Sequence, residues 1–210
     1  MTSFHVGSVD LQLFVGRIAC SPLAGWQCLA PWELTTKAGH FVRELLPSLD
    51  ADYTVVDGIA VHRTAEIESG AVIKTPAVIG PGCFVAAGGY VRGGVWLEAH
   101  CVVGPGSEIK SSFLFRGSKL AHFNFVGDSV LGENVNLEAG SIVANRRNER
   151  DEKGIVVTLG QTRIDTGVEK FGALIGDGCC IGANAVIAPG AILARGTVIP
   201  RLGLVDQSVG

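Results

Sequence analysis

Aromatic side chains are scarce in this 210-residue chain, with three Trp and two Tyr beside a single Met. An interior without that bulk has to be filled by smaller aliphatic residues, which sets it apart from an ordinary globule. Positive charge is not in excess either. Seventeen Lys and Arg stand against twenty Asp and Glu, and the formal charge of −3 excludes the electrostatic footprint of a nucleic-acid binder. No apolar run approaches the length of a membrane span and no charged-then-apolar leader opens the chain, so a cytoplasmic protein is expected. Cysteines Cys20, Cys28, Cys83, Cys101, Cys179 and Cys180 lack paired C-x-x-C spacing and are expected as buried, reduced thiols. A Gly-x-x-x-x-Gly-Lys phosphate loop, a Gly-x-Ser-x-Gly elbow and a zinc-type Cys/His pairing are all missing, and no metal is required.

Glycine is what the chain has in plenty, at 29 residues, and it implies many tight corners. An internal period accounts for them. An aliphatic residue returns every six positions at Val55, Val61, Ile67, Ile73, Ile79, Val85, Val91, Leu97, Val103 and Ile109. The phase breaks across residues 111–127, resumes at Leu131, Leu137 and Val143, and after a second break runs from Ile175 through Ile181, Ile187, Leu193 and Ile199 to Val205. Neither a helix nor a meander wants a strict six. A triangular coil does, with three short strands per turn, one aliphatic side chain pointing inward from each, and Gly, Asn or Pro at the corners. The fold expected is an all-β solenoid, a left-handed parallel β-helix of hexapeptide repeats over residues 53–210. Residues 1–52 have no hexad; helix-like spacing in 11–18 and 32–49 predicts a helical cap over one end of the coil. Residues 144–173 read as an inserted loop and β-excursion, with the mixed-charge tract around Arg146, Arg147, Arg150 and Lys153 as a solvated loop.

A regular coil turns spacing into geometry, because residues eighteen apart stack on one another. Lys74, Arg92 and Lys110 each follow an inward anchor and should form an outward column of cations. Such a column is either a solvated face or a phosphate or diphosphate site, and spacing alone favours neither. His122 lies where the hexad slips, and an imidazole is the natural base near neutral pH. A lone histidine is more often structural, and His5, His40, His62 and His100 are read that way. Asn136 and Asn145 suit coil corners, since Asn tolerates left-handed backbone angles.

The hexad region is similar to the hexapeptide-repeat acyltransferases. Gly117-Ser-Lys-x-x-His-x-x-Phe-x-Gly-Asp128, Asn134-Val-Asn-Leu-Glu-Ala-Gly140, Ser141-Ile-Val-Ala-Asn145 and Asp165-Thr-Gly-x-x-Lys-Phe-Gly-Ala-Leu-Ile-Gly-Asp177 are more specific. They resemble the acetyltransferase half of bifunctional sugar-1-phosphate nucleotidylyltransferase/glucosamine-1-phosphate N-acetyltransferases, as does Pro31-Trp-Glu-Leu34 their linker. The resemblance implies an N-acetyltransferase using acetyl-CoA as co-substrate on an amino-sugar phosphate, a homotrimer with sites between subunits. It makes His122 the catalytic base. Arg92 and Lys110, with Lys74 beside them in the column, hold the sugar phosphate, and Asn136 contacts the sugar. Ala139, Asn145 and Lys153 contact acetyl-CoA. Phe125 stands where the family usually has Tyr, Val156 replaces a loop lysine, Arg146 follows the CoA-contacting Asn, and a nucleotidylyltransferase domain is not expected within these residues. A non-catalytic regulatory or scaffold trimer, and an acyltransferase with another donor or acceptor, are the rival readings. A zinc enzyme of the γ-carbonic-anhydrase kind would need a pair of histidines five apart, which the sequence lacks.

Overall fold

The computed structural model describes residues 9–207. Its body is a left-handed parallel β-helix. Short strands from successive turns stack in register to make three faces. The second face is a seven-stranded parallel sheet that runs from Glu66–Ile67 through Lys119–Leu120 and Asn136–Leu137 to Val198–Ile199. The first and third faces merge into one sheet because strands Tyr90–Leu97 and Glu108–Leu114 run through the corner between them. Inward anchors Ile79, Val85, Val91, Leu97, Val103 and Ile109 fill the interior, as the period requires.

Two readings of the period change. The apparent break across residues 111–127 is two slips of one residue each, Ile109 to Leu114 and Val126 to Leu131, with Leu114, Leu120 and Val126 as buried anchors in the same core. Ile79 pairs with Leu97, but Leu97 pairs with Leu114, and Val130 pairs with Phe113, so these coils are one residue shorter. The irregularity falls between Arg92 and Val95, where Gly93 and Gly94 both take positive φ. Serine hydroxyls close these corners: Ser112 accepts from the Ser129 N–H at 3.0 Å across a shortened coil, and Ser129 accepts from the Ala173 N–H at 3.1 Å where the excursion returns. Val55 is the other change. It is 48% exposed and sits in an antiparallel hairpin, Tyr53–Val56 against Ile59–His62, with Asp57 and Gly58 at positive φ. A Asp-Gly turn of that kind makes a hairpin before the first coil can form.

The N-terminal segment lies along a flank of the coil, where the sequence suggested a lid over one end. Each turn of the first face presents an outward apolar residue: Ala60, Val78, Trp96, Phe113, Val130, Leu174 and Ile192, in consecutive register. All are buried beneath that segment and the excursion. Helix α1 (Pro31–Thr36) begins with Pro at its first position, and Glu33 accepts the Ala30 N–H at 2.8 Å. Helix α2 (Ala38–Leu45) packs on the first-face strands, with Phe41, Val42 and Leu45 buried. Residues 11–18 form short 3₁₀ turns, not a continuous helix, and Gly16 and Phe14 hydrogen-bond to Asp177. The excursion is the hairpin Val156–Leu159 with Thr162–Asp165; Ile155 and Val157 join the flank core, and Trp32 meets Phe171 edge-on at 5.9 Å. A purely polar end cap would not bury such a ladder, whereas each large side chain buried here stabilises by roughly 1.5–3 kcal/mol.

Cys83, Cys101 and Cys179 are buried as expected, but Cys20, Cys28 and Cys180 are exposed, and all six are free thiols. Among the described residues no helix is long and apolar enough to cross a membrane. His5 lies outside the described residues.

The flank cover is testable. Phe113→Ala should cost about 3–5 kcal/mol in urea unfolding, because the side chain is wholly enclosed. Gly94→Ala would drive a methyl into the Gly39 backbone, so hydrogen exchange in 38–45 should rise while second-face amides stay protected.

Candidate active site

His122 occupies the corner between the second and third faces, immediately after strand Lys119–Leu120. Its side chain is exposed. The corner is held from beneath by Asn124, a buried residue that the sequence reading passed over. Asn124 Nδ2 donates to the Glu138 carbonyl at 2.8 Å and to Ser141 Oγ at 2.9 Å, and its own N–H donates to Ser107 Oγ at 3.2 Å. A side-chain amide buried in a solenoid joins neighbouring coils only if its hydrogen bonds are met, and here they are. The signal was available, since a buried polar residue two places after an exposed His breaks the small-residue filler of other corners.

Directly on the next coil lies the Ala139–Gly140 corner, whose Gly140 N–H donates to the His122 carbonyl at 2.9 Å. Glu138 beside it accepts from Arg201 at 2.9 Å and from the Ala183 N–H at 2.9 Å, and these bonds hold its carboxyl below the usual range. Asn136 is on the second face, in strand Asn136–Leu137, and not at a corner. The left-handed corner asparagines are Asn134 and Asn184, at φ 54 each. The structure therefore brings His122, Ala139 and Asn136 to one edge.

The cation column stands elsewhere. Arg92 and Lys110 pair in register, and the Lys74 N–H donates to the Val91 carbonyl, so the three stack as the spacing predicts. They line the corner between the third and first faces, one face away from His122. Two of them are already neutralised. Arg92 Nε meets Glu108 at 2.7 Å and lies over the Tyr90 ring, and Lys110 Nζ bonds both oxygens of buried Asp128 at 2.8 and 2.9 Å. Asn145 donates to the same Asp128 carboxylate. A cleft of about 460 Å³ opens here between Thr36, Lys110, Ser111, Asp128, Glu169 and Lys170. Thr36 in this cleft was not singled out from sequence, and Lys170 stood in the Asp165–Asp177 motif without a role, because α1 and the returning excursion deliver them from far along the chain.

Lys153 turns into its own loop and donates to the Asn148 and Arg150 carbonyls. The mixed-charge tract is not simply solvated. Arg147 is buried, with its guanidinium forked onto Asp206 at 2.7 and 2.8 Å and a further bond to the Pro189 carbonyl. The Asp206 carboxylate holds that guanidinium further above its ordinary value. His62 has the structural role expected of it, buried and bonded to Thr64 at 2.9 Å.

A family model described as the GMPPB C-terminal domain matches residues 55–146. A bifunctional sugar-1-phosphate nucleotidylyltransferase/acetyltransferase of Sulfurisphaera tokodaii is 34% identical over 131 residues, 62% of this chain and 32% of that protein. The bifunctional protein GlmU of Methanococcus vannielii is 28% identical over 151 residues, covering 70% and 36% of the two chains. The chain is a hexapeptide-repeat relative of these bifunctional enzymes. It spans about a third of the length of the curated relatives it matches. Among solved structures, the Arabidopsis UDP-N-acetylglucosamine acyltransferase is 17% identical with a TM-score of 0.38, over 67% of this chain and 57% of that one. The PglB acetyltransferase domain of Neisseria gonorrhoeae, in complex with acetyl coenzyme A, is 14% identical with a TM-score of 0.34, over 68% and 51%.

Asp128 ties Lys110 to Asn145 at a left-handed backbone position, φ 47. Asp128→Asn keeps that backbone but leaves the half-buried ammonium without its counter-charge. Urea unfolding should show a loss of about 1–3 kcal/mol.

Proposed function

We propose that this hexapeptide-repeat chain is an acyl-CoA-dependent N-acetyltransferase acting on an amino-sugar phosphate. The observation that carries the reading is the His122 corner stacked on the Ala139–Gly140 corner, with Asn136 on the adjoining face. The names of the relatives support the same reaction class.

In the transfer, the acceptor nitrogen forms a bond to the thioester carbonyl carbon while His122 takes its proton. The C–S bond then breaks, and the proton passes to the departing thiolate. The Gly140 N–H is committed to His122, so the Ala139 N–H, which donates to no group among the described residues, is the corner's donor for the oxyanion. Phe125, on the third face beside this corner, offers the acceptor an apolar edge and no hydroxyl. No metal enters this scheme.

Lys110 stands opposite Gly127, five residues beyond His122. At about 3.3 Å per residue the two side chains root up to roughly 16 Å apart in one chain. A site that draws on both the base and the column therefore needs two copies of the chain, and a homotrimer with the site between subunits meets that need. Lys74, whose side chain is exposed and makes no ion pair among the described residues, would then be the column's available cation.

A scaffold role has one observation on its side: among the described residues nothing hydrogen-bonds the His122 ring to orient it. Thiol release from acetyl-CoA, measured across a panel of amino-sugar 1-phosphates, separates the two. Turnover on one acceptor should fall by about 10²–10⁴ in His122→Ala with the assembly unchanged by light scattering. A chain that turns over no acceptor and binds no acetyl-CoA in calorimetry is a scaffold.

A further inference from the structure

On the second face, one column away from His122, a groove of about 550 Å³ is lined by His100, Val102, Gly117, Lys119, Asn134 and Asn136. Its polar side chains differ from those of the cation column in a way that bears on binding. In that column Arg92 and Lys110 each already hold a carboxylate and Lys74 makes no ion pair among the described residues; Arg201, outside the column, is held by Glu138. No carboxylate lines this groove. Lys119 and His100 are exposed, and among the described residues none of the side chains of His100, Lys119, Asn134 and Asn136 makes a hydrogen bond or ion pair.

The fold positions these groups. Lys119 and Asn136 are in register on neighbouring strands, one coil apart, and both point outward. His100 and Asn134 stand two coils apart on the same corner, with Gly117 at the level between them, both in left-handed conformations, φ 60 and 54. His100 lies against Gly82, and Asn134 against Gly117; any Cβ at either glycine would collide with the ring or the amide. A cation, an imidazole and two amides therefore converge on one groove with their hydrogen-bonding capacity unspent. An anion supplies what such a set lacks, because charge-assisted bonds to phosphate oxygens are short and strong.

We propose that this second-face groove is a phosphate- or diphosphate-binding site, with Lys119 and His100 as its principal ligands and Asn134 and Asn136 as amide donors. Lys119 precedes His122 by three residues, so their backbones lie within about 10 Å on one edge. A phosphate held here sits within reach of the proposed transfer corner in a single chain. The inference deepens the reading given above, since it names where an anionic group of donor or acceptor is held, but the binding itself does not depend on catalysis.

The test is calorimetric titration of the intact protein with inorganic pyrophosphate. Lys119→Ala should weaken binding roughly tenfold and His100→Asn, which keeps the left-handed corner, severalfold. Parallel titrations with coenzyme A and with glucosamine 1-phosphate name the source: the ligand whose affinity falls with Lys119→Ala is the one whose phosphate occupies the groove. His122→Ala should bind pyrophosphate as the wild type does, which separates this site from the transfer reaction. If pyrophosphate does not bind, or its affinity is unchanged in Lys119→Ala and falls instead in Lys110→Ala, the groove is not the anion site.

Discussion

The coil depends on one hydrogen-bonding register, in which each of its strands pairs in parallel with the strand one coil on. That pairing satisfies the backbone of segments only two or three residues long, which would have no stability alone. It also stacks equivalent positions. An aliphatic anchor therefore meets an aliphatic anchor, a corner meets a corner, and the interior becomes a continuous column of Val, Ile and Leu. Asn124, Ser112 and Ser107 repair the register where a coil is one residue short, by supplying hydrogen bonds across the 17-residue steps, and Ser129 does so where the excursion returns.

The same stacking gives the three faces different fates. On the first face it lines up Val78, Trp96, Phe113, Val130 and Leu174, and a stripe that apolar has to be covered. The N-terminal segment and the excursion do so, and Arg147 clasps the excursion's loop to Asp206 near the last coil. On the third face the stacking lines up cations, and carboxylates from neighbouring strands come with them, so Arg92 and Lys110 are paired within the chain. Like charges five ångströms apart need such neutralisation. On the second face stacking leaves the side chains of His100, Lys119, Asn134 and Asn136 without hydrogen bonds or ion pairs among the described residues, and the His122 corner borders it.

Much of this was legible from residue spacing. The six-residue period determined the coil, the inward residues and the column of Lys74, Arg92 and Lys110, because stacking is a local rule repeated. The motif around His122 marked the corner that carries the candidate base. The sequence alone did not separate a slip from a break: Leu114, Leu120 and Val126 keep the period in a shifted phase, and a strict six passes over them. The tertiary structure decided everything that depends on contacts between distant segments. Whether residues 9–52 cap an end or cover a side turned on a ladder of residues spread across the whole coil. Whether a cation is free turned on carboxylates such as Asp128, which the coil brings beside Lys110 from 18 positions away. Spacing records where a side chain stands; only the folded chain records what stands beside it.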